Sequence, residues 1–356
     1  MRSPKEAIES HVIADRDLQS QRKLKIAEER LKVESAKLKA SEKEVEGLGK
    51  RVNLLSGLQG IKPKKMGLFH KGKPGNATAI LLLSDFHCEE PVDPKKVNGL
   101  NEYNMEIADA SIKETFQRAL MLLRHERGLV NIKDLVIWLG GDFLSGAIHP
   151  ELIETSGLAP LATCRWVSQR LHDGIKFLLD NGDLDHITIV TSYGNHGRTT
   201  EKRRISTGAD NSYEYHMYRV MEGAFRDERL SWKIGEGYHN YLDVQGYLCR
   251  FAHGDALRYH GAIGGITTTV EKAIRAWNAE IHADWDFMGH FHQHRVAPHW
   301  VMNGSLIGYS PYCIEIKAEF EVPSQTFCVI DSDRGMTVAK KIFCRPSLVV
   351  KENRKR

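Results

Sequence analysis

Five short polar motifs, each placed directly after an apolar run, constrain this chain of 356 residues more than any other feature. The motifs are Asp85-Phe86-His87, Gly141-Asp142, Gly194-Asn195-His196, His253-Gly254-Asp255 and Gly289-His290-Phe291-His292. The apolar runs before them occupy 79–84, 135–139, 187–191, 248–252 and 285–288. Short apolar runs followed by turn residues are typical of buried β-strands. Because loops at strand ends can converge at one edge of a sheet, the pattern predicts a single shared site.

The residue types in these motifs are typical of a metal site. Two Asp, one Asn and four His supply oxygen and imidazole donors without thiolate. Such a donor set suits Mn²⁺, Fe or Zn²⁺ better than Ca²⁺ or Mg²⁺. Two metal ions about 3.5–4 Å apart form a clamp for in-line attack on phosphorus. One motif alone would indicate only a turn or a helix cap, but the five together predict a two-metal phosphoesterase.

The ordered set of motifs resembles the calcineurin-like metallophosphoesterase superfamily over roughly 77–310. The resemblance implies an α/β (α+β) fold, a β-sandwich flanked by helices, with two divalent metal ions. We expect Mn²⁺ first, with Fe or Zn²⁺ as alternatives. The resemblance implies seven ligands: Asp85, His87 and His292 for one metal, Asn195, His253 and His290 for the other, and Asp142 as a bridge between them.

The same resemblance implies how the reaction would run. A bridging hydroxide would be the nucleophile, since metal coordination lowers the pKa of water towards neutrality. Asp142 would hold both metals, and His196 would stabilise the phosphorane or protonate the leaving oxygen, work that suits an imidazole titrating near neutral pH. We also expect Asp255 to orient His253 through its second ring nitrogen.

Two positions depart from the commonest pattern of that superfamily. Gly197 follows His196 where an acid is frequent, and Ser145 stands three residues after Asp142, where the repair exonucleases of the superfamily often carry a His. Neither departure removes a ligand. The combination, together with the sequence at 303–306, resembles phage-encoded or prophage-encoded members.

A cluster of cations follows the third motif: Arg198, Lys202, Arg203 and Arg204. These side chains could hold the non-scissile phosphates of a nucleic acid. Arg198 is the strongest candidate, for catalysis as well as for substrate binding, because it lies two residues from His196. An exposed charged loop of no special function would have the same composition.

Composition and charge place the chain among soluble globular proteins, with 41% hydrophobic and 27% charged residues. No apolar run approaches the roughly 20 residues that cross a membrane, and the polar N-terminus has no signal-peptide core. The six scattered cysteines form no CxxC pair, which is typical of a reducing compartment. We therefore expect a cytoplasmic protein with no membrane partner. A net charge of +4 does not by itself establish a nucleic-acid partner.

The chain divides by composition into four parts. Residues 1–60 are rich in Glu, Lys, Ala and Leu and predict a long helix. A basic linker rich in Pro and Gly follows at 61–76, the catalytic domain at 77–345, and a basic tail at 346–356. Helical periodicity within the catalytic domain is found at 105–127, 158–180, 211–226 and 267–280.

The N-terminal helix carries an apolar heptad repeat of Leu24, Leu31, Leu38, Val45 and Val52. Apolar companions at the second core position, Leu48 and Leu55, occur only towards its C-terminal end, so the seam is thin elsewhere. Two alternatives follow. The helix forms a coiled coil that makes a homo-oligomer, either parallel or antiparallel, or it is a solvated arm.

The sequence favours hydrolysis of a polymeric phosphodiester by a DNA exonuclease or endonuclease. A small-substrate phosphatase or nucleotide phosphodiesterase is the alternative, since the same fold and metal site serve both. An open basic groove would indicate a polymer and a capped pocket a small ester. A third interpretation is a non-catalytic assembly subunit that docks through its N-terminal helix. The presence of all seven ligands and His196 favours an enzyme over this subunit.

Overall fold

A computed structural model describes residues 4–59, 75–258, 265–315 and 317–345. The chain divides into two units, Met1–Gly72 and Lys73–Arg356. The predicted linker, apart from residues 75 and 76, and the predicted tail over 346–356 lie outside the described residues.

The first unit contains one long helix, α1 (Pro4–Gln59). Strong helix formers dominate it, and its first glycine is Gly47, which explains the uninterrupted helix. Every side chain described in it, over 16–56, is exposed in the single chain, including Leu31 at 73% and Val45 at 65%. The pairing that the heptad pattern predicts for this helix stays a prediction.

The second unit contains eleven strands and six further α-helices in its described part. The strands are β1 (Asn76–Leu83), β2 (Asn131–Leu139), β3 (His186–Thr191), β4 (Leu230–Ile234), β5 (Asn240–Val244), β6 (Tyr247–Phe251), β7 (Trp285–Met288), β8 (Arg295–Ala297), β9 (Trp300–Met302), β10 (Ser324–Asp331) and β11 (Gly335–Phe343). The helices are α2 (Met105–Glu126), α3 (Pro150–Thr155), α4 (Pro160–Asn181), α5 (Tyr213–Ala224), α6 (Gly265–Trp277) and α7 (Pro311–Glu315).

The strands form two mixed sheets. One sheet has the order β11-β10-β1-β2-β3-β4, in which β1 to β4 are parallel and β10 and β11 complete an antiparallel edge. The other has the order β5-β6-β7-β9-β8, in which β6, β7 and β9 are parallel. Apolar runs such as 79–83 are buried on both faces of their sheet, which explains why they are continuous rather than alternating.

The two sheets pack face to face and are covered by helices on their outer faces. Trp138 of β2 and Phe251 of β6 meet in the core between the sheets, with ring centroids 6.2 Å apart. Residues of α2, α4 and α5 bury the outer face of the first sheet, and residues of α6 bury that of the second. The predicted α/β fold, a β-sandwich flanked by helices, is therefore confirmed.

The five polar motifs follow directly after β1, β2, β3, β6 and β7, the strands predicted to precede them. Because these strands are parallel within their sheets, their C-terminal ends meet at one edge. Backbone hydrogen bonds join the loops within each sheet; for example, Asp85 N–H donates to Gly141 O at 2.9 Å, and Gly289 N–H donates to His253 O at 2.8 Å. A side-chain bond, from His253 Nδ1 to Gly140 O at 2.7 Å, joins the edges of the two sheets.

The helices predicted from periodicity are found as α2, α4, α5 and α6, with ends displaced by at most three residues. A tight turn at 331–335 joins β10 and β11. The short helices α3 and α7 were not predicted. No helix in the described part of the chain is both long and apolar enough to cross a membrane.

Candidate metal centre

The side chains that carry possible ligand atoms converge at the joined edge of the two sheets. They form three groups in the described part of the chain, and within each group the ligand atoms lie within 4.8 Å of one another. The groups are Asp85, His87 and His292; Asp142, His253 and His290; and His87, Asp142 and His196. Asp142 belongs to two of the three groups, and one of these shares His87 with the third. Metal binding by these residues stays a prediction.

Five of these residues adopt the left-handed backbone conformation that favours glycine. The φ angles are 57° at Asp85, 47° at His87, 53° at Asp142, 70° at His290 and 56° at His292. Each such residue costs on the order of 1–3 kcal/mol, so the conformation persists only where the surrounding structure requires it. The concentration of this strain at the motifs shows that the loops are bent to direct these side chains to one point.

Two glycines of the motifs allow the loops to approach the carboxylates closely. A Cβ atom at Gly194 would lie 2.0 Å from Asp142 Oδ1. A Cβ atom at Gly289 would lie 2.4 Å from Asp85 Oδ2. Both distances are far inside van der Waals contact, so only glycine fits. The motif glycines are therefore part of the architecture of the site.

Several ligand atoms are buried without the partners that buried polar atoms normally have. Asn195 Oδ1, His253 Nε2 and His292 Nδ1 have no hydrogen-bond partner among the described residues. His253 Nε2 lies 2.9 Å from Asp142 Oδ2, without hydrogen-bond geometry. His87 Nε2 lies 3.2 Å from His292 Nε2. Two nitrogens that bind the same ion, each at about 2.1 Å, have about this separation. Divalent metals therefore fit the donor atoms of this site.

Hydrogen bonds to the second ring nitrogen orient two of the imidazoles. His253 Nδ1 donates to Gly140 O, which directs Nε2 towards Asp142. His196 Nδ1 donates to Ser145 O at 3.0 Å. The expectation that Asp255 orients His253 is wrong, because the Gly140 carbonyl already occupies that nitrogen.

Burial and mutual charge set the protonation of the site. Burial raises the pKa of Asp85 to about 7 and lowers the pKa of His292 to about 4. Burial also lowers the pKa of His87 well below its usual value. Burial alone would raise the pKa of Asp142, but the charges of His253 and His196 hold it well below its ordinary range. Against the effect of burial, the charge of Asp142 in turn raises the pKa of His253 well above its usual value. Metal binding requires the ionised carboxylate and neutral imidazoles, so a bound ion would release the proton that His253 holds.

Two buried carboxylates that sequence reasoning missed hold the ligand loops in place. Glu214 accepts the backbone N–H groups of Phe143 and Gly194, each at 2.7 Å. Glu89 accepts those of Ser145 and Gly146, each at 2.9 Å. A sequence signal existed for Glu214, because it occupies the position of α5 that shares a face with its buried apolar residues. A carboxylate on the apolar face of a helix is expected to be buried, and a buried carboxylate needs hydrogen-bond donors around it.

A cleft of about 800 Å³ opens over the ligand side chains. His149, Asn195 and His196 line it, and α3 and α7 supply part of its wall. Four carboxylates also line it: Glu90, Asp93, Glu151 and Glu315. Among the described residues, Lys96 is the one lysine or arginine in this wall.

The predicted substrate-binding cations lie elsewhere. Arg198 donates to the carbonyl oxygens of Asn195, Thr200 and Glu201 and so stabilises its own loop. Arg203 forms an ion pair with the Asp255 carboxylate at 2.5 Å, its Nε to Oδ2. Lys202 and Arg204 are exposed. Arg198, Arg203 and Arg204 line a small separate pocket beside Asn195. Substrate binding by the four cations, and catalysis by Arg198, stay predictions.

No family model matches the chain, and no curated protein matches it. Solved structures with limited likeness include the zinc complex of wild-type Vps29 from Entamoeba histolytica, which is 11% identical over 74% of this chain and 99% of that one, with a TM-score of 0.30. A conserved uncharacterized protein from Streptococcus pneumoniae TIGR4, described as a predicted phosphoesterase, is 10% identical over 74% of this chain and 97% of its own, with a TM-score of 0.28. A hypothetical protein from Pyrococcus horikoshii OT3 is 11% identical over 78% and 93%, with a TM-score of 0.37.

These values are too low to identify a family or an activity. The site combines carboxylate, amide and imidazole donors with an additional imidazole, His196, in the wall of a cleft.

Proposed function

We propose that this chain is a metal-dependent phosphoric ester hydrolase of the calcineurin-like metallophosphoesterase type, and that it uses two divalent ions. The observation that supports it best is the convergence of six of the seven proposed ligands at one point, together with buried atoms of Asn195, His253 and His292 that lack partners among the described residues. Asp85, His87 and His292 would hold one ion, and Asn195, His253 and His290 the other. Asp142 would contact both ions. The mixed oxygen and imidazole donors favour Mn²⁺, with Fe or Zn²⁺ as alternatives.

The chain's own residues would orient the ester and manage the proton. When bound, the two ions supply Lewis-acid activation of the phosphoryl group and a nucleophile at neutral pH. His196 lines the cleft, and its Nδ1–H is fixed by the Ser145 carbonyl. A proton on its other nitrogen, Nε2, is then placed for transfer to the departing oxygen.

The charge of the cleft favours a small phosphate ester over DNA. A nucleic acid binds through many lysine and arginine contacts to its phosphates. The described wall instead carries Glu90, Asp93, Glu151 and Glu315 against the single Lys96. These carboxylates would repel the phosphates that flank a scissile bond. A phosphatase or nucleotide phosphodiesterase is therefore our first proposal, and a DNA nuclease, which would rely on Arg198 and 202–204, is the second.

Hydrolysis assays separate these activities. The metal-stripped protein is supplied with Mn²⁺ and given an aryl phosphomonoester, a bis-aryl phosphodiester, and end-labelled single- and double-stranded DNA. We expect Mn²⁺-dependent cleavage of a small ester and none by Asp142→Ala. Cleavage of DNA would instead establish the nuclease, and its product ladder would distinguish exonuclease from endonuclease. Tight binding of two metals without cleavage of any of the substrates would contradict the proposal and favour an assembly subunit.

The basic loop has its own test in DNA binding. If Arg203 and Arg204 contact phosphates, the double charge reversal Arg203→Glu/Arg204→Glu should weaken DNA binding and reduce its dependence on salt. The matched control is Arg118→Glu/Arg124→Glu on α2, two arginines that do not line the cleft or the pocket beside Asn195. An unchanged salt dependence would leave the loop without a role in DNA binding.

A further inference from the structure

Ser145 is a buried residue that contacts two imidazoles of the candidate site, one through its side-chain hydroxyl and the other through its backbone carbonyl. Its hydroxyl oxygen lies 2.8 Å from His87 Nδ1, and its backbone carbonyl oxygen lies 3.0 Å from His196 Nδ1. The residue is completely inaccessible to solvent. No water can therefore replace either contact without a change in the structure.

The hydroxyl has one hydrogen, and a third residue determines where it points. Ser145 Oγ lies 2.6 Å from Glu90 Oε2, and the oxygens of an ionised carboxylate only accept. The hydroxyl hydrogen is thus donated to Glu90, and its lone pairs remain for His87. The bond between Ser145 and His87 then requires the proton of His87 to be on Nδ1. His87 Nε2 is left with a free lone pair directed at His292 and the metal-ligand cluster.

The backbone carbonyl of Ser145 likewise determines which ring nitrogen of His196 carries a proton. A carbonyl oxygen only accepts, so His196 Nδ1 carries a proton and Nε2 is left free to exchange one with a ligand in the cleft. The Ser145 backbone is itself held, because its N–H and that of Gly146 both donate to Glu89 Oε1 at 2.9 Å. The position of the carbonyl therefore does not depend on the hydroxyl.

The geometry points to Ser145 as a positioning residue that sets the tautomer of both imidazoles. Its hydroxyl, directed by Glu90, selects the metal-binding form of His87, and its carbonyl selects the proton-exchanging form of His196. The role of each imidazole in hydrolysis rests on the proposed function, but the tautomers are properties of the metal-free protein. The two contacts can also be separated, because Ser145→Ala removes the hydroxyl and keeps the carbonyl.

Nitrogen-15 NMR of the imidazoles in the metal-free full-length protein tests this inference directly. We expect His87 to carry its proton on Nδ1 in the native protein and to populate the Nε2–H form in Ser145→Ala. His196 should keep its Nδ1 proton in both. Ser111→Ala is the control, since Ser111 is equally buried but its hydroxyl has no partner among the described residues. An unchanged His87 tautomer in Ser145→Ala would overturn the inference.

Metal binding gives a second readout. Loss of a group that orients a ligand typically weakens metal affinity by 10–100-fold. Calorimetric titration with Mn²⁺ should show that loss at one of two sites in Ser145→Ala, with the other site and the Ser111→Ala control unaltered. Equal weakening at both sites would contradict the assignment of the hydroxyl to His87 alone.

Glu90→Ala removes the acceptor of the Ser145 hydroxyl and keeps the hydroxyl itself. This variant tests the same inference if Ser145→Ala does not fold. Without its acceptor the hydroxyl can turn and donate to His87 Nδ1, which also favours the Nε2–H form. We expect the same shift of tautomer and the same weakened site. A native tautomer in this variant would show that the direction of the hydroxyl is not set by Glu90. If the native protein shows these tautomers but hydrolyses no ester, the proposed function fails and the positioning role stands.

Discussion

Glu214 and Asp142 are two fully buried carboxylates that influence each other, and burial together with the charge of Asp142 raises the pKa of Glu214 to about 8. The folded protein therefore binds this proton more tightly than the unfolded chain, whose pKa is near 4.5. Between these values the folded state holds more protons, so stability falls as pH rises. The contribution of Glu214 is complete below about pH 4.5 and is lost as the pH approaches 8.

We predict that Glu214 contributes a decline of up to about 1.4 kcal/mol per pH unit to the stability of the metal-free protein between pH 5 and 8, measured by thermal denaturation as the difference from a variant without this carboxyl group. Glu214→Gln, which cannot ionise, should flatten it. The control is Glu222→Gln on the same helix, whose side chain is partly exposed. Identical slopes in the native protein and Glu214→Gln would show that Glu214 does not control this pH dependence.

Asp142 is expected to matter to both ions and His292 to only one. Asp142 shares ligand groups with His87 on one side and His253 on the other, whereas His292 belongs to a single group. We predict that Asp142→Ala abolishes hydrolysis and retains neither ion, and that His292→Ala retains one. The metal content of each purified variant, measured by atomic emission, checks this. Near-normal turnover by Asp142→Ala would refute the bridging role.

The strands and the ligand motifs could be predicted because their signals are local. An apolar run and the turn residues that follow it are adjacent in the sequence, so the end of β1 at Leu83 and the turn at Asp85 could be identified together. Because the strands are parallel, the C-terminal ends of all five lie at one edge, and no further sequence signal is needed to bring them together. This is why the convergence of the motif side chains at one edge could be predicted.

The partners of those ligands could not be predicted, since they lie far away in sequence. Glu214 is 71 residues from Phe143, the loop residue whose N–H it accepts. Asp255 was expected to orient His253, its neighbour along the chain, yet it pairs with Arg203. The acidic cleft wall comes in part from α3 and α7, helices too short to have a periodic signal. Side-chain pairing across a fold depends on packing, which sequence spacing does not encode.

His196 has two alternative roles, metal ligand or proton donor, because its imidazole belongs to one ligand group with His87 and Asp142. We predict that His196→Ala keeps two ions and loses 10²–10⁴-fold in turnover, the usual contribution of general acid catalysis. The loss should be larger for an alkyl ester than for an aryl ester, whose leaving oxygen needs less help. Release of an ion from His196→Ala would instead identify His196 as a ligand.

Gly194 should tolerate no side chain. The added Cβ of Gly194→Ala would meet Asp142 Oδ1 at 2.0 Å and Asp142 N at 2.4 Å, so the loop must shift away from the carboxylate. We predict a loss of about 1–3 kcal/mol in stability, as for overpacked sites, together with weaker Mn²⁺ binding. Gly223→Ala is the matched control, since its Cβ would meet no atom within 4 Å. Urea denaturation and calorimetry measure the two effects, and a Gly194→Ala protein that equals the control in both would contradict the packing argument.

The helix α1 should determine the oligomeric state and leave the catalytic unit intact. The buried residues of the three hydrophobic cores lie between Ala77 and Cys344, so deletion of 1–60 removes none of them. Long helices gain most of their stability from packing an apolar face. We therefore predict that the full-length protein associates through its heptad residues and that the truncated protein is a folded monomer. Sedimentation velocity distinguishes the two states.

Point variants test whether the heptad face carries that association. Leu31→Ser/Leu38→Ser should convert the full-length protein to a monomer, because both leucines are exposed in the single chain and one heptad apart. Lys32→Ser/Lys39→Ser is the matched control, one position along the same helix and also exposed. Full-length protein that sediments as a monomer at all concentrations would exclude a coiled coil and leave α1 as a solvated arm.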